Sequence, residues 1–277
     1  MSTSMETRRK RRAIPAVIVT VLYLLPVYWM INTSLKRAGD IFVKPPSFLP
    51  LPLSFDSYAT VLGDSDLIRG LLNTTIIATG TTAVTLAVAV PAAYGLARLR
   101  VRFVPVILLL FLVVQMVPAV NLALPMFALF SNTELVNTYQ GLIIANCSLA
   151  IPLAITIMRP YFLSVPNEVI EAAKTDGCTT LSAFIRIAVP MSLPGIITVA
   201  AITFLGAWGE FVFGLALATD AEMQPVTVVL AGLSNAFGTK WNDVMAASMV
   251  IAIPVILAFV FLQRYVVAGL TEGASKS

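Results

Sequence analysis

Histidine is absent from this 277-residue chain, and cysteine occurs only twice, as Cys147 and Cys178. The first absence removes the commonest general base and metal ligand, and two isolated cysteines make no thiolate cage, so neither a catalytic residue nor a metal site is expected. Cys147 falls inside an apolar run and Cys178 in a loop, so both read as small packing residues rather than as a disulfide pair. Charge is also scarce, at 12% of residues against 58% hydrophobic, where a soluble domain carries about 25% charged residues. The net charge of +4 is spread among apolar runs instead of gathered on one face, which gives no footing for nucleic acid. Nowhere does the sequence contain Gly-x-x-x-x-Gly-Lys-Ser/Thr, so the chain is not expected to hydrolyse ATP itself. Internal repeats are missing too, which argues against a transporter built from inverted halves within one chain.

What is abundant is uninterrupted apolar sequence. Six runs, about 14–32, 72–97, 104–127, 141–162, 193–218 and 244–265, have the roughly twenty residues that a helix rising about 1.5 Å per residue needs to cross a hydrocarbon core of about 30 Å. None alternates as a barrel strand does. The fold class that follows is an all-α integral membrane protein of about six transmembrane helices, in one transmembrane domain over 14–270, with a basic N-terminus over 1–13 and a tail over 271–277. Positive charge is retained on the cytoplasmic side during insertion. With the N-terminus inside, that side receives Arg8, Arg9, Lys10, Arg11, Arg12, Arg98, Arg100, Arg102, Arg159, Lys174, Arg186, Arg264 and Lys276, thirteen of the eighteen basic residues. Both termini are then expected in the cytoplasm. The first run exceeds a signal-peptide core and lacks a small-residue cleavage site, so it reads as an uncleaved helix. Pro91, Pro118, Pro125, Pro152 and Pro254 fall at membrane depth, either as kinks in packed helices or as breaks along a pathway. The loop 33–71, with Pro45, Pro46, Pro50 and Pro52, is expected to be irregular and extended.

The longest inside loop, 164–192, is the most informative segment. Ser164 reads as a helix N-cap with Pro166 in the first turn, and Gly177 as a left-handed stop about a dozen residues on. Leu181, Phe184, Ile185 and Ala188 then recur at helical spacing until Pro190, predicting a second short amphipathic helix. Ala172 and Ala173 between Glu171 and Asp176 offer a closely approachable surface with charged edges. Two readings fit such a surface: docking into another protein, or an interfacial helix lying on lipid.

Residue order within that segment is more specific than its shape. Glu171-Ala172-Ala173, three residues, Gly177, nine residues, Ile187, two residues and Pro190 resemble the EAA signature of permease subunits in binding-protein-dependent ABC importers. Asp176, Phe184 and Pro194 also match, and Val189 replaces the usual leucine. The resemblance implies a cytoplasmic coupling helix between spans 4 and 5 that sits in a cleft of a separate ATPase, with Glu171, Ala172, Ala173, Asp176, Gly177 and Pro190 as the coupling residues. Pro26 through Lys36, Asn137-Thr138 followed by Gly141-Leu142-Ile143, and the closing run Arg264 through Ala274 are similar to the smaller, six-span permease of the maltose and glycerol-phosphate transporter type. Trp208-Gly209-Glu210-Phe211 resembles a Trp-Asn-Glu-Phe element of that group, with Gly209 departing from asparagine.

By that resemblance the chain imports a carbohydrate across the cytoplasmic membrane. Its implied partners are a homologous second permease, two copies of a nucleotide-binding ATPase, an extracytoplasmic sugar-binding protein and membrane lipid, with ATP and magnesium held on the ATPase subunits and no cofactor on this chain. The alternative is a stand-alone secondary carrier or channel for a small polar solute, which leaves the segment around Gly177 unexplained; a membrane enzyme is more distant. Proton or sodium coupling usually needs several buried ionisable groups, and only Glu210 stands clearly inside a span. A carboxylate there faces the bundle or a watery cavity, because exposure to lipid costs about 2.5–3.5 kcal/mol. Two readings stay open for Glu210, a place on the translocation path or a packing or gating role. The same holds for Trp208 and Phe211, which either present an aromatic face to a sugar ring or pack against neighbouring helices.

Overall fold

The computed structural model describes the backbone of residues 2–235 and 238–274 and, within them, the side chains of residue 15 and of residues 17–234 and 238–260. The readings placed on the side chains of Arg8 to Arg12 and of Arg264 through Ala274, and on Lys276, lie outside the described residues. Helix dominates. In chain order the helices are α1 Ser2–Ser34, α2 Asp56–Gly63, α3 Ser65–Arg98, α4 Val104–Gln115, α5 Ala119–Asn132, α6 Tyr139–Ser164, α7 Asn167–Thr175, α8 Thr180–Ala183, α9 Val189–Met191, α10 Leu193–Trp208, α11 Val212–Leu217, α12 Val226–Gly232 and α13 Trp241–Ala274. A hairpin pairs β1 Ser234–Asn235 with β2 Gly238–Thr239.

Among the described residues, four helices are long and apolar enough to cross a membrane: Val17–Ser34, Ser65–Arg98, Tyr139–Ser164 and Trp241–Val260. Two bent pairs bring the number to six if each is one span, Val104–Gln115 with Ala119–Asn132 at 92° and Thr180–Met191 with Leu193–Trp208 at 75°. The third run is therefore bent, while the 75° bend falls just before the fifth run, which is itself broken between Trp208 and Val212, so neither is the single straight helix that its composition suggests. Pro118 stands at the first break as the N-cap of α5, whereas Pro91, Pro125, Pro152 and Pro254 lie inside continuous helices. Proline removes one backbone donor, and whether a helix bends there depends on what satisfies the freed carbonyl.

The chain divides into two compact units, 1–67 with 230–252 and 68–229 with 253–277. In the first, the proline-rich loop is less irregular than expected. Ser54 N–H donates to Leu35 O at 3.0 Å, buried Lys36 Nζ donates to Ser47 O at 2.6 Å, and the same ammonium stands 5.3 Å from the Trp29 ring centroid. Asp64 Oδ1 accepts from the N–H groups of Asp66 and Leu67 at 2.9 and 3.3 Å, so α3 starts seven residues before the apolar run at 72. An aspartate cap fixes that start, and hydropathy does not register caps.

The second unit is built on α3, α6 and α10. Ala89, Val90, Ala93 and Tyr94 of α3 pack with Ala154, Ile155, Met158 and Phe162 of α6, and the cluster continues into Ile170, Ala188 and Val199. Small residues let these helices approach closely, as lipid-embedded packing requires. Gly195 is the tightest case, since a Cβ there would stand 2.4 Å from Tyr161 Cγ. At the N-terminal end of α6, Thr138 Oγ1 accepts from Gly141 N–H at 3.0 Å, and Asn73 Nδ2 of α3 donates to Glu222 O and Gln224 O at 2.9 and 3.0 Å.

Candidate functional site

The segment after α6 forms a helix, a glycine turn and a second helix, as the sequence predicts, with three local differences. Pro166, not Ser164, is the N-cap of α7. Helix α6 runs on through Ser164, whose Oγ donates to Tyr161 O at 2.8 Å, and the Val165-Pro166 pair then takes extended backbone because proline disfavours helix in the residue before it. Pro190 does not end the second helix either. Residues Phe184–Ala188 form a π-helical turn, Val189 N–H donates to Phe184 O, and helix continues over Val189–Met191 to the bend at Ser192. The wider turn relocates the ladder, so proline's missing donor falls where helix is already interrupted. Finally, the inward face is Ala183, Phe184, Ile187 and Ala188, while Leu181 and Ile185 are 65% and 55% exposed. An apolar stripe this broad does not specify which edge turns inward.

Helix α7 ends in a double hydrogen-bonded turn. Gly177, at φ +91°, donates from its N–H to Lys174 O at 3.1 Å, and Cys178 N–H donates to Ala173 O at 2.9 Å. These are the two bonds of a Schellman cap, which needs a left-handed residue where glycine alone carries no Cβ penalty. The expected coupling residues separate across this element. Ala173 is 8% exposed and packs inward beside Ile170, so it is not part of the outward surface that the sequence suggests. Glu171, Ala172, Asp176, Gly177 and Pro190 are exposed, and Val169 joins Ala172 on the outward side. At positions 172 and 177 that surface is backbone-close, and Glu168, Glu171 and Asp176 make its rim acidic. Such a surface admits a complementary ridge or groove, not a reaction.

A second feature lies where α10 gives way to α11. Sixteen residues of α10 reach only about 24 Å, and the chain breaks at Gly209 before α11 restarts. Glu210 fills the break: Oε1 accepts from Phe213 N–H at 2.8 Å, Oε2 accepts from Gly214 N–H at 3.0 Å, and the Glu210 carbonyl accepts from Thr227 Oγ1 at 2.7 Å. The carboxylate thus satisfies the first donors of a broken helix, which would otherwise be orphaned in an apolar surround.

Glu210 also borders a cavity of about 210 Å³ whose polar lining comes from Thr81 on α3, Asn146 on α6 and Thr203 on α10. Thr81 is 1% exposed, and its Oγ1 has no hydrogen-bond partner among the described residues. Trp208 and Phe211 do not border this cavity. Trp208 packs against Ala78 and Phe204, and Phe211 is partly exposed. Sequence reading missed Thr81, Asn146 and Thr203 because scattered small polar residues inside apolar runs do not reveal which of them share one cavity.

Comparison with known proteins agrees with this architecture. Residues 87–272 match the family described as binding-protein-dependent transport system inner membrane component. The sulfoquinovosyl glycerol transport system permease protein SmoH of Agrobacterium fabrum is 32% identical over 265 residues, covering 96% of this chain and 93% of that protein. The trehalose transport system permease protein SugB of Mycobacterium tuberculosis is 33% identical, covering 95% and 96%. A solved bacterial ABC transporter involved in the import of the acidic polysaccharide alginate superposes with a TM-score of 0.80 at 21% identity, over 95% of this chain and 98% of that one. Broken membrane helices beside a mostly apolar cavity with a few polar side chains, an exposed helix closed by the Gly177 turn, and these full-length likenesses together place the chain in the family of binding-protein-dependent transport system inner membrane components, the permeases of ABC importers.

Proposed function

We propose that the chain is the carbohydrate-translocating subunit of its importer, with α7 as the coupling helix that a separate ATPase grips. The exposed Ala172 surface, bounded by Glu171 and Asp176 and closed by the Gly177 turn, carries the coupling part of this reading. The carbohydrate part is supported by relatives named for sulfoquinovosyl glycerol, trehalose and diacetylchitobiose transport. The substrate class is thus a mono-, di- or oligosaccharide or sugar derivative, delivered by an extracytoplasmic binding protein to this subunit and a homologous second permease. Two ATPase copies beneath them hold ATP and magnesium, since this chain has no phosphate-cradling loop of its own. In the membrane both termini and α7 face the cytoplasm, which keeps thirteen of the eighteen basic residues inside.

Closure of the ATPase pair moves α7, and the packed α3–α6–α10 core carries that displacement to the cavity bordered by Thr81, Asn146, Thr203 and Glu210. Glu210 serves there both as a cap for the broken helix and as a hydrogen-bonding wall of the path. Purification of the tagged chain from its native membrane, wild type and Gly177→Arg, tests the reading. Wild type recovers an ATPase, and the assembly hydrolyses ATP faster with a sugar-loaded binding protein; the arginine, projecting from an open position at positive φ, abolishes both. A chain that transports sugar alone and ignores the substitution is instead a stand-alone carrier.

A further inference from the structure

Two arginines that sequence reading counts only as topology signals cross-cap neighbouring helices. Arg98 is the last residue of α3, and its guanidinium reaches the C-terminal carbonyls of α6. Its Nε and Nη2 donate to Phe162 O at 2.9 and 2.6 Å, and Nη2 also donates to Val165 O. In return Arg159 Nε of α6 donates to Leu96 O of α3 at 3.1 Å. The final carbonyls of each helix lack intrahelical partners and carry the negative end of the dipole, so a cation there is doubly favoured. The third arm of Arg98 goes elsewhere. Its Nη1 donates to Oδ1 of Asn167, the first residue of α7.

We infer that Arg98 is a positioning residue that makes α3 move with α7, resting on the reading of α7 as the coupling helix. The chain itself joins α7 to α6 through Val165 and Pro166 and, beyond the Gly177 turn, to α8, but not to α3. Without the Arg98–Asn167 bond, a push on α7 reaches α3 indirectly, by way of α6, through the helix-end carbonyl bonds of Arg98 and Arg159 and the apolar packing around Tyr94, Phe162 and Phe184. With it, one planar guanidinium holds α3, the end of α6 and the start of α7 in fixed register, because its donors diverge in a rigid fork. The consequence lies about 25 Å along α3, where Thr81 lines the same cavity as Asn146 of α6. Both walls then answer to one displacement.

Asn167 separates this role from simple capping. Asn167→Ala cuts the tie to α7 but leaves the α6 carbonyl bonds of Arg98 in place; Asn167→Asp keeps an acceptor and adds a charge. Arg98→Lys keeps the charge but supplies one donor site where three are used. The complete transporter is reconstituted with its ATPase and binding protein, and sugar uptake, ATP hydrolysis and ATPase recovery are measured together, with Gly177→Arg as reference. Asn167→Ala and Arg98→Lys should each lower sugar transported per ATP by about fivefold or more, a typical coupling factor, while ATPase recovery stays at the wild-type level and Asn167→Asp restores the ratio. Unchanged transport per ATP in Asn167→Ala, beside a Gly177→Arg that loses ATPase recovery and stimulated hydrolysis, overturns the tie and leaves the coupling reading standing. Loss of ATPase recovery in Asn167→Ala makes Asn167 a docking contact and also overturns it. A wild type that binds no ATPase overturns the coupling reading and the tie together.

Discussion

Glu210 shows how much one residue's meaning depends on its neighbours. A carboxylate inside an apolar run is visible in the sequence, as is the insertion penalty that keeps it from lipid. Its hydrogen-bond donors are not visible, because the two N–H groups it caps belong to a helix break that composition does not announce. Glu210→Ala should destabilise the solubilised protein by about 1–3 kcal/mol, the cost of leaving buried donors unpaired. Glu210→Gln, which keeps one acceptor oxygen, should lie between alanine and wild type. Thermal unfolding in detergent checks the order, and a Glu210→Ala protein as stable as wild type removes the capping role. Thr81 tells the same story in reverse: that its Oγ1 has no partner among the described residues is a property of its surroundings, not of the threonine.

Among elements, α7 and its glycine turn were the most legible and the bent pairs the least. Gly177 is recognisable as a stop because few other residues adopt positive φ at low cost, and the observed turn places it there. Gly177→Ala, with no Cβ clash to hinder it, should still cost about 1–2 kcal/mol through the backbone alone. Exchange of the Gly177 and Cys178 amides, whose bonds close the turn, should then quicken by about tenfold. Gly177→Asn should quicken it less, since asparagine tolerates the left-handed region. Equal exchange in all three proteins would remove the cap's role in holding α7. The bend between α4 and α5 was hidden because Pro118 looks the same in sequence as Pro91 or Pro152, which do not break their helices. What differs is the packing that surrounds each freed carbonyl.

For the whole molecule, the two native cysteines give a test of topology. Cys147 is buried, whereas Cys178, at the end of the glycine turn, is partly accessible. With α7 in the cytoplasm, a membrane-impermeant maleimide should label Cys178 in inside-out vesicles freed of ATPase and leave sealed right-side-out vesicles unlabelled. The reverse pattern inverts the topology. The sequence by itself determined the class of molecule: long apolar runs have no stable home outside lipid, basic residues bias orientation, and the spacing from Glu171 to Pro190 carries the family resemblance that the full-length likenesses bear out. Tertiary structure alone decided that Ala173 faces inward while Ala172 faces out, that the third run bends and the fifth is broken after Trp208, and that Arg98 reaches Asn167. Hydropathy and spacing are local sums along the chain, whereas each of these outcomes depends on a partner distant in sequence that only packing brings within bonding range.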